Sequence, residues 1–139
     1  MPVFPSDEWL ALYRDAINSS ESHRQAAATW EGDLTYVVKA EPGTGLESDV
    51  CVWMDLWHGE CRDARIVDMD KGERAKYVIT APYSRWKQVI RGELEPTKAM
   101  MQGKLRLRGD LPTIVQHVKA ANELVHIAGG IPTEFMDEP

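Results

Sequence analysis

The chain has 139 residues, of which 43% are hydrophobic and 27% are charged, and these are ordinary values for a globular domain. Its formal net charge of −6 disfavours nucleic acids as partners, because a polyanion would meet a repulsive field. No apolar run is long enough to cross a bilayer, the acidic and proline-interrupted start is unlike a secretory signal, and the C-terminus carries no peroxisomal address, so we expect one cytoplasmic domain over residues 1–139.

The N-terminal third predicts two helices. Ser6 is well placed to cap the first helix, in which apolar residues recur at helical spacing from Trp9 to Ile17. A second, shorter helix is expected over residues 21–31, with Gly32 as its left-handed C-terminal cap.

Residues with high β-propensity then predict four strands in succession, over residues 34–40, 50–57, 61–69 and 76–81. A two-residue turn at His58 and Gly59 joins the second strand to the third. Strands that follow one another through short turns favour antiparallel pairing, so the pattern predicts a four-stranded meander.

Helical spacing returns in the C-terminal half. The pattern predicts a helix from Pro82 to Gly92, one further helical turn over residues 97–102, a fifth strand over residues 104–108 and a long last helix over residues 111–128. This order of helices and strands is typical of an α+β domain.

Cys51, His58 and Cys61 are of the residue types that bind metals. The turn that begins at His58, however, separates the two cysteines by several residues along the strand pair, so four ligands do not converge. The same register places Asp55 opposite Arg62 as a cross-strand charge pair. We therefore predict two free thiols and no metal site.

The residue pattern does not favour catalysis. The four histidines are scattered along the chain, no nucleophile motif surrounds a serine, and there is no glycine-rich loop of the kind that holds a phosphate. We predict a protein that is not an enzyme and that uses no cofactor.

Lys104, Arg106 and Arg108 alternate with Leu105 and Leu107, so one face of the fifth strand is cationic and the other is apolar. The simplest interpretation is a solvated face whose charges protect a sheet edge. No aromatic residues alternate with the cations, as nucleic-acid stacking requires. A transient contact with an anionic membrane stays open, since each cation near such a surface contributes about 1 kcal/mol.

Met100 and Met101 stand together just before the basic strand. Methionine fills irregular gaps in a core, and its unbranched thioether also suits a pocket that accepts apolar molecules of varied shape. Composition alone leaves both interpretations open.

Several short motifs occur in a fixed order along the second half of the chain. They are Asp55-Leu56-x-x-Gly59, Ala75 to Thr80, Trp86-x-x-Val89-Ile90-x-Gly92, Leu94-x-Pro96-x-x-Ala99-Met100-Met101-x-Gly103-Lys104-Leu105 and Gly109-Asp110. Together they resemble the sterol carrier protein type-2 domain, a family of nonspecific lipid-transfer and sterol-binding domains. The resemblance extends from Asp55 to Val125, and the N-terminal third matches only in the order of its elements.

The resemblance implies an α+β fold with a five-stranded, mostly antiparallel sheet and helices packed on one face. It also implies an apolar tunnel between sheet and helices, in which a fatty acid, an acyl-CoA, a sterol or a phospholipid binds without chemistry. The candidate lining residues are Trp86, Val89, Ile90, Leu94, Met100, Met101, Leu105, Leu107, Ile114, Val118 and Phe135. The last three of these are expected to form a movable cover.

Two alternatives keep the same fold. In the first, the tryptophans and the N-terminal helices fill the interior, and the protein is a structural or self-associating module such as a homodimer. In the second, the domain presents lipid to an enzyme. A co-purifying lipid would favour the carrier, and a bare multimer would favour the module.

Overall fold

The computed structural model describes residues 1–138. Its strands and helices are, in chain order, β1 (Val3–Phe4), α1 (Asp7–Asn18), α2 (Glu21–Ala26), β2 (Glu31–Lys39), β3 (Val50–Trp57), β4 (Glu60–Val67), α3 (Met69–Gly72), β5 (Tyr77–Pro82), α4 (Tyr83–Ile90), α5 (Pro96–Met101), β6 (Arg106–Arg108), α6 (Leu111–Gln116), α7 (Val118–Gly129) and β7 (Glu134–Phe135).

The two N-terminal helices begin at serines whose side chains satisfy otherwise unpaired amides. Ser6 accepts a hydrogen bond from the Trp9 amide at 3.1 Å, as predicted, and Ser20 accepts one from the His23 amide at 3.1 Å. The second cap fixes the backbone at His23, a residue that lies inside the protein.

Five strands form the main sheet, in the order β4-β3-β2-β5-β6. Three of the four pairings in this sheet are antiparallel, and β2 pairs with β5 in parallel. The predicted five-stranded, mostly antiparallel sheet is confirmed, but the predicted meander is wrong. The chain leaves β4 at one edge of the sheet and returns beside β2, and short-range sequence patterns do not encode such a non-local pairing.

Successive side chains of β2 point to opposite faces of the sheet. Leu34 and Val38 belong to the main core, to which α1, α4, α5, α6 and α7 all contribute. Thr35 faces the other side, where its hydroxyl donates a hydrogen bond to the Gly72 carbonyl at 2.8 Å. The helical layer is thus confirmed on one face, while the four-residue α3 covers a small cluster around Cys51 on the opposite face.

The turn between β3 and β4 pairs Leu56 with Cys61, as predicted. A β-bulge between Asp55 and Leu56 then shifts the register, so Asp55 lies opposite Asp63 rather than Arg62. The Arg62 guanidinium still donates two hydrogen bonds to the Asp55 carboxylate, at 3.1 and 3.0 Å. The charge pair is therefore confirmed, although the register from which it was predicted is wrong.

Gly59 ends this turn with a φ of +86°, in the left-handed region. A Cβ atom at this position would lie 2.8 Å from both the Cα and the carbonyl oxygen of Arg24. The turn therefore packs directly against the backbone of α2, and a glycine is required for that approach.

Two predicted helix boundaries differ from the structure. The second helix ends at Ala26, and Gly32 lies inside β2 at a φ of +154°, where a Cβ would come 3.0 Å from the Tyr77 ring. The predicted long last helix is interrupted at His117, whose backbone leaves helical geometry and separates α6 from α7.

The two ends of the chain lie side by side, because β1 pairs in parallel with β7 and brings Phe4 opposite Phe135. Tyr83 of α4 joins them further. Its hydroxyl donates a hydrogen bond to the Phe4 carbonyl at 3.1 Å and accepts one from the Met136 amide at 2.9 Å.

Charged side chains of α4 hold the C-terminal segment in place. Arg91 donates a hydrogen bond to Glu138 at 2.7 Å, Lys87 also contacts Glu138, and Lys87 donates to Asp137 at 3.0 Å. Hydrogen bonds from Arg91 and Lys87 lower the pKa of Glu138 to about 2.

Candidate functional site

A cavity of about 100 Å³ lies between the helices and the sheet. Its floor is formed by Leu34 and Tyr36 of β2, Val52 and Leu56 of β3, and Ile79 of β5. These side chains share one face of the sheet because the three strands are adjacent and in register. Residues of α1, α2, α4, α5, α6 and α7 form most of the rest of the wall, which is largely apolar, and Phe4 of β1 also contributes.

Six of the eleven predicted residues line this cavity. They are Trp86, Val89, Ile90, Met100, Leu105 and Ile114. The first three come together because their helical spacing puts them on one face of α4. Their contact with a lipid remains a prediction.

The other five predicted residues lie elsewhere. Leu94 and Leu107 are partly buried against the main core beside the cavity. Met101 is 68% exposed and Val118 is 36% exposed, so the structure has both at the surface rather than on the wall. Neighbouring residues of a helix point about 100° apart, so Met100 and Met101 do not both face inward.

Phe135 is a buried core residue and does not line the cavity. Its ring centroid lies 6.4 Å from that of Phe4, and the Arg91 guanidinium lies 4.9 Å from the Phe135 ring. The pairing of β7 with β1 and the Arg91 cation above the ring both fix the position of Phe135. This fixed position differs from the movable cover that was expected.

The N-terminal third supplies wall residues that were not predicted. Trp9 and Tyr13 of α1, Trp30 and Tyr36 all line the cavity. The helical spacing of Trp9 and Tyr13 was a signal of burial, but the same spacing is typical of any core helix. Only the fold shows that this part of the chain faces the cavity.

Four aromatic wall residues direct their polar groups into hydrogen bonds within the protein. These bonds join Trp9 Nε1 to Thr133 Oγ1 (2.8 Å), the Tyr13 hydroxyl to the Leu124 carbonyl (2.8 Å), Trp30 Nε1 to the Gly32 carbonyl (2.8 Å) and Trp86 Nε1 to the Val37 carbonyl (3.0 Å). These four donors are satisfied, so their rings contribute mainly carbon surface to the cavity. The Tyr36 hydroxyl, also on the wall, makes no hydrogen bond with residues 1–138.

Two histidines also line the cavity. His117 Nδ1 lies 2.8 Å from the Thr113 carbonyl, which only accepts, so this nitrogen carries a proton; Nε2 lies 3.1 Å from the Thr29 hydroxyl, within hydrogen-bond distance. His23 is 2% exposed, and its Nδ1 atom has no hydrogen-bond partner within residues 1–138. Burial lowers the pKa of His23, although the negative charge of Glu123 acts in the opposite direction.

Burial moves the pKa values of other ionisable groups near the cavity further from neutral pH. It raises the pKa of the Tyr13 and Tyr36 hydroxyls, and it raises the pKa of the Cys61 thiol to about 12. At neutral pH these groups therefore carry no charge, which suits a site for apolar molecules.

Within the described part of the chain, no group of three or more His, Cys, Asp or Glu side chains is placed to hold a metal ion. Both cysteines are buried free thiols. Cys51 belongs to the small cluster under α3 and Cys61 to the main core on the other face of the sheet, so the two are separated by the sheet itself.

The basic strand has the predicted alternation, since Leu105 is buried while Lys104 and Arg106 are exposed. Arg108 is anchored, because its guanidinium donates hydrogen bonds to the carbonyls of Glu73 and Ala75. Among residues 1–138, no helix combines the length and the apolar character needed to cross a membrane.

The sequence profile of the SCP-2 sterol transfer family matches residues 11–121. A crystal structure of sterol carrier protein 2 is 40% identical, aligns over 91% of this chain and 98% of its own, and has a TM-score of 0.83. A solution structure of a conserved hypothetical protein from Thermus thermophilus is 39% identical, with coverages of 96% and 92% and a TM-score of 0.83. A solution structure of palmitated SCP2L2 from Aedes aegypti shares the fold at 16% identity, with coverages of 84% and 94% and a TM-score of 0.50. A search of curated proteins gave no match.

Proposed function

The chain belongs to the SCP-2 sterol transfer family, and we propose that it binds a hydrophobic lipid in the cavity between its sheet and its helices. Fatty acids, acyl-CoA, sterols and phospholipids are the ligand classes of this proposal, with binding and transfer rather than catalysis as the activity. The observation that carries it is an apolar cavity of about 100 Å³ in which four of the five aromatic donors on the wall are bonded within the protein. A palmitated protein with the same fold supports an acyl chain as one occupant.

The cavity must widen to hold a whole lipid. A cavity of about 150 Å³ accommodates one benzene molecule, so a space of about 100 Å³ takes only a short part of an acyl chain. We propose that α5 and α6 move outward. Each has only six residues, and α6 is separated from α7 by the break at His117, so few helical hydrogen bonds resist the displacement.

The expected affinity follows from the buried hydrocarbon. An acyl chain of about twelve methylenes gains roughly 10 kcal/mol on leaving water. Association costs several kcal/mol, and widening the cavity adds to that cost. We therefore expect dissociation constants in the micromolar range.

We also propose that lipid enters from an anionic membrane surface over α5, α6 and α7. Met101, Val115 and Val118 expose apolar side chains on these three successive helices. Lys98 and Lys119 are exposed on the same helices, and each cation near an anionic surface contributes about 1 kcal/mol. The contact is transient, because the chain as a whole is acidic.

Native mass spectrometry of freshly purified protein tests the binding proposal. We expect a mass increment that corresponds to a co-purified lipid. Delipidated protein is then titrated with palmitate while tryptophan fluorescence is recorded, because Trp9, Trp30 and Trp86 line the cavity. A chain that carries no lipid and whose fluorescence does not respond to palmitate, a sterol or a phospholipid would overturn the proposal, and a bare multimer would favour the self-associating module.

Three expectations stay predictions. They are the single domain over residues 1–139, the cytoplasmic location and the homodimer. Light scattering at micromolar concentration measures the oligomeric state. If the oligomer has the same number of chains before and after the lipid is removed, lipid binding and self-association are independent.

A further inference from the structure

His23 differs from most of the other polar side chains that line the cavity. The Tyr36 hydroxyl on the same wall also makes no hydrogen bond with residues 1–138, but Tyr36 is only partly buried, whereas His23 is 2% exposed. The indole groups of the lining tryptophans, the Tyr13 hydroxyl and the His117 ring all have partners within the protein, whereas His23 Nδ1 has none among residues 1–138. Buried polar groups are nearly always hydrogen-bonded, so an unpaired one in a native fold requires an explanation.

The position of His23 is fixed from two sides. Its backbone amide donates to the Ser20 side chain at 3.1 Å, and the next residue, Arg24, packs against the β3–β4 turn at Gly59. The imidazole is therefore held at the α2 end of the cavity, with only 2% of the residue exposed.

The chemistry of the ring indicates what it can pair with. Burial keeps the imidazole neutral at neutral pH, so one ring nitrogen donates and the other accepts. A hydroxyl group both donates and accepts, so it matches His23 Nδ1 in either tautomer. A carboxylate only accepts, and it would be buried without a counter-charge and near the negative Glu123.

We infer that His23 is the polar end of the binding site and that it selects an apolar molecule with one hydroxyl group, which hydrogen-bonds to Nδ1. This inference rests on the proposed function, since it concerns the lipid that occupies the same cavity. The hydroxyl satisfies the unpaired nitrogen, while the remainder of the molecule lies along the aromatic and aliphatic wall.

A matched pair of ligands tests the inference. 1-Dodecanol and 1-chlorododecane have the same chain, but only the first has a hydroxyl group. We expect the wild-type protein to bind 1-dodecanol about fivefold more tightly, a factor typical of one hydrogen bond. The variant His23→Leu should lose this preference while still binding 1-chlorododecane.

Thr97→Val is the control variant. Thr97 Oγ1 is the other buried side-chain atom without a partner in the described residues, but Thr97 does not line the cavity. Its removal should therefore leave the preference for 1-dodecanol unchanged. A loss of preference in both variants would overturn the inference, because the effect would then not be specific to His23.

The outcomes separate the inference from the proposed function. Failure of both compounds, and also of palmitate, a sterol and a phospholipid, to bind to the wild-type protein would refute the proposed function and the inference with it. Failure of the two compounds alone would overturn only the inference. Equal binding of the two compounds, or tighter binding of dodecanoate than of 1-dodecanol, would overturn the inference alone. Should His23→Leu fail to fold, the ¹⁵N resonance of His23 Nδ1 in the wild-type protein decides: it must shift with 1-dodecanol and not with 1-chlorododecane.

Discussion

We predict that Met100→Trp weakens lipid binding and that Met101→Trp does not. Met100 lines the cavity, whereas its neighbour Met101 is 68% exposed. The two variants make the same chemical change at adjacent positions of α5, so they differ only in the direction in which the new indole points.

The expected loss of affinity in Met100→Trp follows from the volume of the cavity. An indole brings about six more heavy atoms than a methionine side chain, and the cavity holds about 100 Å³. Displacing about three methylenes of a bound chain costs roughly 2.4 kcal/mol at ~0.8 kcal/mol each. The dissociation constant of the Met100→Trp protein should therefore rise roughly fiftyfold.

Displacement of a fluorescent fatty acid measures both variants, with circular dichroism and thermal unfolding as checks on the fold. Wild-type affinity in Met100→Trp would refute the assignment of this wall. Equal weakening in both variants would show instead that α5 itself is disturbed, since the Met101 side chain does not reach the cavity.

Three further predictions concern the stability of the fold around the cavity. Tyr83→Phe removes the hydroxyl that joins both ends of the chain, so the free energy of unfolding should fall by about 1–3 kcal/mol in denaturant titrations, and an unchanged midpoint would contradict this. Arg91 and Lys87 lower the pKa of Glu138 from 4.5 to about 2, so the ionised carboxylate stabilises the fold above about pH 4.5, and this contribution is lost as the pH falls through 2. The Tm of the wild type should exceed that of Glu138→Gln at pH 7, and the difference should disappear below about pH 2; a difference that persists there would count against the ion pairs. Gly59→Ala should lower stability by at least ~1–2 kcal/mol, because its φ is +86° and the added Cβ would collide with the α2 backbone; a neutral substitution would show that the turn can move away.

Local features of the fold could be predicted from the sequence. Ser6 caps α1 and the turn at His58 joins β3 to β4, because caps and tight turns depend on residues close together in the chain. The register beyond that turn could not be predicted, since the bulge before Leu56 has no distinct local signal. The parallel pairing of β2 with β5 was missed for a similar reason, because it joins segments separated by the whole β3–β4 hairpin.

The candidate site was predicted in part. The face of α4 with Trp86 was found because helical spacing shows which residues share a side. The contribution of α1 was not found, because Tyr13 reaches the wall beside Leu124, far away in the sequence. Met101 was placed on the wrong side of α5 because two adjacent methionines give no sign of which one faces inward.

The pairing of β1 with β7 has a consequence for how the protein tolerates cleavage. In the described chain these two strands pair with no others, and Phe4 of β1 forms part of the cavity wall. Proteolytic trimming of the last few residues would therefore remove the strand partner of the first few as well, and would weaken the packing of the interior at Phe4, the point farthest from the cut along the sequence. Each terminal strand therefore holds the other in place, and an affinity tag that strains one terminus should weaken the packing of both.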